Sequence, residues 1–339
     1  MLLRGREVAG RKAQKNLGIR PGSKDLMDTT TSNSGASALQ QTAARATPPS
    51  LQHSPSTSPR PTADEIPDEP LISIRPSKRW VALNLRDLWM HRELLYLLTW
   101  RELKARYKQT VMGVAWVVMQ PLLTTIMFTI FFGRLAGIPS DGIPYPIFAY
   151  GGLMTWAFFT GAVTNCSLSL VANANLITKV YFPRMIIPAA TIGARLVDFA
   201  VAFLLLIGMM VYYGVHLTRN ILMLPALVVL LTLLALGIGM WMAALNVKYR
   251  DVGVGLPAIL QFWMFASPIL YPLSFVPARW RPLYSLNPMV GIIEGFRAAL
   301  FGLGFNWTAL AFSVAVTFFV LIYAAYAFRR MEKSFADLV

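Results

Sequence analysis

The chain has 339 residues, 55% of them hydrophobic and only 14% charged, with a formal net charge of +15 and a mean hydropathy of +0.52. So few charges could not cover a soluble domain of this length, which excludes an ordinary water-soluble enzyme and points to one polytopic membrane domain. The bases lie at the chain ends and between apolar runs instead of on one soluble face, a pattern of membrane flanks and not of a nucleic-acid partner.

Residues 1–74 are rich in Ser, Thr, Pro, Ala and Gln, as in "TPPSLQHSPSTSPRPTADEIPDEP". With few large apolar side chains this stretch cannot offset its ordering entropy and reads as a disordered polar tail. Its first residues, "MLLRGREVAGRKAQKN", lack the apolar core of a secretory signal, which leaves membrane targeting to the first span. Residues 75–110 form the next region, a cytoplasmic interfacial one. Within "NLRDLWMHRELLYLLTWRELKARYKQ", Tyr96, Trp100, Leu103 and Tyr107 recur at helical spacing, and Arg101, Glu102, Lys104, Arg106 and Lys108 fall largely between them. That pattern predicts an amphipathic helix suited to the membrane interface.

Six apolar stretches follow, at about 111–133, 147–173, 186–213, 221–245, 255–275 and 307–328, each near the length that ~30 Å of hydrocarbon requires. They make residues 111–330 an all-α, six-span transmembrane domain, with 331–339 as a C-terminal tail. Pro121, Pro257 and Pro268 fall in the first and fifth stretches and predict kinks. With the N-terminus in the cytoplasm, the nine bases from Arg75 to Lys108 share one side with Lys179, Arg184, Lys248, Arg250, Arg329, Arg330 and Lys333. The opposite side holds Arg134, Arg219, Arg279, Arg281 and Arg297. The asymmetry places both termini in the cytoplasm.

Two short turns then face the cytoplasm. In "NLITKVYFPRMII", Lys179, Val180, Tyr181, Phe182, Pro183 and Arg184 put an aromatic pair between bases, more apolar area than topology needs, and so predict a docking surface for a partner protein. In "LNVKYRDVGVGLP", Lys248, Tyr249, Arg250 and Asp251 form the second turn, where positive-inside decoration alone would suffice. Between the turns, Arg195 and Asp198 are spaced to share one face of a helix. A lone charge at mid-bilayer costs about 2.5–3.5 kcal/mol on insertion scales, so the two should pair, whether as a structural lock or beside a hydrated path. On the far side, "VPARWRPLYSLNPMVGIIEGFRAALFGLGFN" is too polar for a span and too apolar for a solvated loop. It predicts a partly re-entrant external hairpin between spans five and six, containing Asn287, Pro288, Glu294 and Arg297, with the last two able to pair.

Groups for catalysis are scarce. His53, His91 and His216 lie outside the cores of the spans, and no H-E-x-x-H, G-x-S-x-G or G-x-x-x-x-G-K-[ST] motif occurs. The single cysteine, Cys166, allows neither an intrachain disulfide nor a thiolate metal site, so no metal is expected.

Four segments in order, "LTWRELKARYKQTVMGVAWVVMQPLL", "LITKVYFPRMIIP", "LNVKYRDVG" and "SLNPMVGIIEGFR", resemble the permease subunits of type-2 ABC exporters that move O antigen, capsule and teichoic acid. The resemblance runs from about residue 88 to the C-terminus and leaves out the tail. It implies a homodimer in the bacterial inner membrane that carries two copies of an ATPase subunit, with ATP and Mg on that partner and no cofactor on this chain. It further implies that Lys179–Arg184 is a coupling helix, and that a lipid-linked polysaccharide passes along a channel near the dimer axis. Sugar rings stack on aromatic faces, so Trp116, Trp156, Phe159, Phe262 and Phe265 are candidate channel residues. A drug or lipid exporter of the same fold, a membrane glycosyl- or acyltransferase and an ion-coupled carrier are the alternatives.

Overall fold

A computed structural model describes residues 90–108, 113–180 and 182–332. The tail 1–74, residues 75–89 and 109–112, Tyr181 and 333–339 lie outside the described residues, as do the side chains of 113–117, Trp116 among them. Among the described residues there is no strand.

Helix α1 is Arg92–Tyr107, with Glu93 in its first turn and Lys104 and Arg106 in its last, charges that complement the helix dipole. Helix α2, Gly113–Phe128, continues into a π-helical stretch at Thr129–Leu135. Helix α3, Tyr145–Ala172, is followed by the short α4, Ala174–Lys179, and by α5, Ile186–Tyr212. A 3-10 turn at Arg219–Met223 leads into α6, Leu224–Lys248, and then comes α7, Asp251–Phe265. Two short helices, α8 (Arg281–Ser285) and α9 (Pro288–Phe301), precede α10, Trp307–Glu332.

Among the described residues, five helical segments are long and apolar enough to cross a membrane: Val118–Leu135, Tyr145–Ala172, Ile186–Tyr212, Arg219–Lys248 and Trp307–Glu332. They match five of the six expected stretches to within a few residues. The stretch at 255–275 does not form one helix. Helix α7 is apolar but has only 15 residues, about 22 Å at 1.5 Å per residue, against ~30 Å of hydrocarbon. Pro268 biases Ser267 away from helix, and Pro272 follows before another turn can form.

Helix α3 is the central strut. Its most apolar window is 78% buried, against 33% for α5, α6 and α10 and 6% for α2. It packs most extensively on α6 and α5 and also touches α2, α7 and α9. Around it lies the main core, where Phe158 meets Phe199 and Phe199 meets Phe296 edge to face. A second cluster gathers Leu98, Leu170, Ile177, Phe182, Ile186, Val247 and Phe328 at the other end of the bundle.

Helix α1 lies along α5. Its Leu94, Leu95 and Leu98 join the cluster that contains Ile186 and Ala190. Thr99 sits against Gly193, and Arg106 and Tyr107 reach Asp198. The contacts thus climb both helices in step, and the aromatic stripe divides. Leu103 is buried and Tyr107 turns to Asp198, while Tyr96 and Trp100 stay exposed beside Arg101 and Lys104.

Candidate functional site

The basic turn after α4 is built differently from the sequence expectation. Thr178, Lys179 and Val180 are exposed, but Phe182 is only 8% exposed and belongs to the second cluster. The expected exposed Tyr181-Phe182 pair is therefore corrected for Phe182. Pro183 keeps Phe182 off helical geometry, and a fully buried Phe gains about 1.5–3 kcal/mol over an exposed one, so the chain turns this ring inward. Arg184 donates to the Glu332 carbonyl at the end of α10 and ties the turn to that helix.

Val247 shares this cluster, so the turn between α6 and α7 lies at the same end of the bundle. Lys248, Tyr249, Arg250 and Asp251 are all exposed, with the Lys248 ammonium 5.1 Å from the Tyr249 ring centroid. Asn246 anchors them from within. Its Nδ2 donates to the Ser167 carbonyl of α3 at 3.0 Å, and its Oδ1 accepts from the Gly253 amide of α7 at 2.9 Å. Sequence reasoning missed Asn246; its only signal was an amide closing an apolar helix.

A cavity of about 1020 Å³ opens between α2, α3, α5 and α7. Gln120, Thr124, Thr160, Asn165 and Gln261 give it amide and hydroxyl groups, and Trp156, Phe128 and Tyr107 give it aromatic faces. At its edge the expected Arg195–Asp198 pair forms at 3.3 Å. The carboxylate also pairs with Arg106 and accepts the Tyr107 hydroxyl, two partners from α1 that the sequence reading did not assign to it. Burial, and then the hydrogen bond to Asp198, push the Tyr107 phenol up to about 12, so it remains a donor at neutral pH.

At the far end, Asn287 caps α9 and uses its whole amide. Its Oδ1 accepts from the Met289 amide and from Trp263 Nε1, both at 3.0 Å, and its Nδ2 donates to the Ala266 carbonyl at 2.9 Å and to Ser267 Oγ at 3.0 Å. Pro288 occupies the first helical position, where a missing N–H costs nothing. Arg297, about one turn short of the α9 terminus, is 1% exposed. It meets Glu294 at 3.0 Å as expected, donates to the Pro268 and Ile269 carbonyls at 2.6 and 2.7 Å, and lies 3.6 Å from the Phe148 ring centroid. Gly152 makes room: a Cβ there would sit 3.0 Å from the guanidinium and 2.7 Å from the Ile269 carbonyl oxygen.

The candidate channel aromatics separate. Phe159 is fully buried between Trp156 and Trp263, at 5.5 and 5.3 Å, and borders no open space in this chain. Trp156 lines the cavity, and Phe262 and Phe265 are exposed along α7.

Long apolar helices around a polar-lined cavity, with exposed basic turns at one end and a knot of short helices at the other, are the build of a membrane permease. The ABC-2 type transporter family matches residues 93–301, and the chain belongs to that family. It is 28% identical over 259 residues to the O-antigen export system permease protein RfbA of Myxococcus xanthus, covering 75% of this chain and 98% of that one. It is 27% identical over 240 residues to the polysialic acid transport protein KpsM of Escherichia coli, covering 67% and 89%. The inner membrane transport permease YadH of Escherichia coli K12 is 26% identical over 221 residues, covering 61% and 85%.

Proposed function

We propose that this chain is the membrane subunit of an ATP-driven exporter that carries a lipid-linked polysaccharide across the bacterial inner membrane. The observation that carries the reading is its similarity, over nearly the whole length of the relative, to a permease named for O-antigen export. The cavity supports it, because amides, hydroxyls and an indole are the groups that hydrogen-bond and stack on sugars. A partner ATPase binds and hydrolyses ATP with Mg, two copies serving a homodimer of this chain, and the chain itself needs no cofactor or metal. Both termini lie in the cytoplasm. Residues 1–74 form a polar tail and 75–110 an interfacial region ahead of the transmembrane domain at 111–330, with 331–339 as a second tail.

The chain makes six passes, the fifth being α7 prolonged by the irregular segment up to Phe275. Helices α8 and α9 dip from outside, with α9 packed on α10, α6 and α3 and α8 packed on α9 and α10, so that protein covers the chain at membrane depth. Helix α1 starts at the cytoplasmic surface beside the first turn of α5 and follows that helix inward as far as Asp198, with Tyr96, Trp100, Arg101 and Lys104 turned outward. Lys179 and Val180, with Lys248–Asp251 beside them, are the handle through which the ATPase moves the helices, and buried Phe182 transmits the push to α5 and α10. Trp156, Phe262 and Phe265 border the glycan path.

Purification in mild detergent tests the coupling. An ATPase bearing a Walker motif should co-purify with the native chain and be lost from the doubly substituted Lys179→Glu, Val180→Asp chain while folding is retained. An active chain recovered without such a partner would contradict the reading.

A further inference from the structure

We propose that α2 has two registers: its π-helical stretch, Thr129–Leu135, tightens to an ordinary α-helix and in doing so turns a different set of side chains toward the cavity. The inference goes beyond the export reading, since it concerns how one helix changes its face and holds for any cargo.

Three observations converge on it. First, the stretch holds one residue more than an α-helix would place there. The Ala136 amide reaches back past one full α-turn to the Phe131 carbonyl, and the Ile138 amide reaches further still, to Phe132, both at 2.9 Å. Such wide turns are rare and gather at functional sites. Second, the hydroxyls of Thr125 and Thr129 are buried with no hydrogen-bond partner. By contrast Thr124, Thr155, Thr160, Thr232 and Thr317 each return theirs to a carbonyl one turn back. A buried unpaired hydroxyl is unfavourable, and two of them one turn apart mark a face suited to another place. Third, the two halves of α2 are held unequally. A Cβ on Gly133 would come within 2.9 Å of the Tyr145 ring, and Tyr145 donates its hydroxyl to the Leu270 carbonyl at 2.9 Å, which pins the far half against α3. The rest has little to hold it: the window Val118–Leu135 is only 6% buried, and a groove of about 450 Å³ runs beside Met127, Phe128, Phe131 and Phe132.

With the Gly133 end fixed, tightening hands the extra residue back to the first half of the helix. Each residue ahead of the stretch, and Thr129 at its start, then takes its predecessor's place, a rotation of about 100° with a shift of about 1.5 Å along the axis. Thr124 and Phe128 line the cavity in the register described here. Thr125 and Thr129 replace them in the other, where water reaches both hydroxyls. Phe128 moves to the exposed side, where Met127 now stands. The wall thus loses an aromatic ring and gains a hydroxyl. A fixed irregularity makes the opposite prediction, because it leaves Thr125 buried at all times.

The full chain carrying Cys166→Ala, with either Thr124→Cys or Thr125→Cys, is reacted in dodecyl maltoside with a water-soluble maleimide, and the labelling rate is read by mass spectrometry. Thr124→Cys should label promptly, and Thr125→Cys about a hundredfold more slowly, as befits a register populated near 1%. Deleting Ile130, an exposed residue of the stretch, removes the extra residue while both ends keep their present places. It should stop labelling of Thr125→Cys and leave Thr124→Cys unchanged. Thr129→Val reaches the same end by a second route that keeps the chain length: valine suits the buried position and not the cavity wall, so Thr125→Cys should label several-fold more slowly. Cys166 of the otherwise native chain, fully buried on α3, reports ordinary opening and should label far more slowly than Thr125→Cys. A Thr125→Cys chain that labels no faster than Cys166 would overturn the proposal. So would an unchanged Thr125→Cys rate in a folded chain lacking Ile130, or, should that chain not fold, an unchanged rate with Thr129→Val.

Discussion

Removing the Arg297 guanidinium should cost this bundle more stability than any single change on its surface. The side chain is 1% exposed and joins four groups on three segments: Glu294 on its own helix, the Pro268 and Ile269 carbonyls past the end of α7, and the Phe148 ring on α3. Arg297→Met keeps the length and the apolar stem but leaves both carbonyls and the Glu294 carboxylate without this donor. Breaking a buried pair by deleting one partner costs about 3–5 kcal/mol. At about 2–4 °C per kcal/mol for a chain of comparable size, the melting temperature should fall by on the order of 10 °C. Arg297→Lys should fall in between, since an ammonium can hold Glu294 but cannot reach both carbonyls while lying flat on Phe148. Tryptophan fluorescence in detergent, scanned at one fixed rate because membrane proteins of this size often unfold irreversibly, reads all three chains. A melting temperature for Arg297→Met within about 2 °C of the native value would refute the reasoning. So would a lysine variant less stable than the methionine one.

Phe182→Ala should destabilise the fold by about 3–5 kcal/mol, as a buried aromatic deletion does, whereas the doubly substituted Lys179→Glu, Val180→Asp chain should keep its melting temperature. Equal effects would mean that Phe182 is not the buried member of the turn. Asn246→Leu removes the hydrogen bonds that this amide makes to Ser167 O and Gly253 N, at about 0.5–1.5 kcal/mol each, and hydrogen exchange at the Gly253 amide, left with its 3.3 Å bond to the Arg250 carbonyl, should accelerate. An unchanged exchange rate there would contradict the anchoring role. Cys166 is fully buried, and burial makes it an inert thiol, so a maleimide should label it only after denaturation. Prompt labelling of the native chain would show that α3 is more open than described.

What the sequence could reveal followed from local rules. Apolar run length placed five long helices to within a few residues, because hydrocarbon thickness and helical rise leave little freedom. The spacing of Arg195 and Asp198, and of Glu294 and Arg297, placed both pairs on single helix faces, and both pairs form. What escaped depends on contacts between distant segments. Arg106 meets Asp198 across 92 residues, and no periodicity announces such a contact. Phe182 looked exposed because its neighbours are charged, yet the cluster of Leu98, Ile177, Val247 and Phe328 that receives it comes from four different stretches of chain. Phe159 looked like a channel residue on aromatic character alone, and only the positions of Trp156 and Trp263 show it enclosed. The fifth apolar stretch had the composition of a span, but Pro268 and Pro272 end its helix, and Asn287 and Arg297 hold the irregular chain that follows.

The central claim is that this chain passes a glycan by means of energy supplied from another subunit. Co-reconstituting the purified chain with its co-purifying ATPase in sealed vesicles, and then following a fluorescent lipid-linked polysaccharide, measures that directly. The account predicts ATP-dependent appearance of the glycan on the opposite face, lost without the ATPase or with a non-hydrolysable nucleotide. Transport at the same rate without ATP, or ATP-driven movement of small lipids with the glycan left behind, would contradict it.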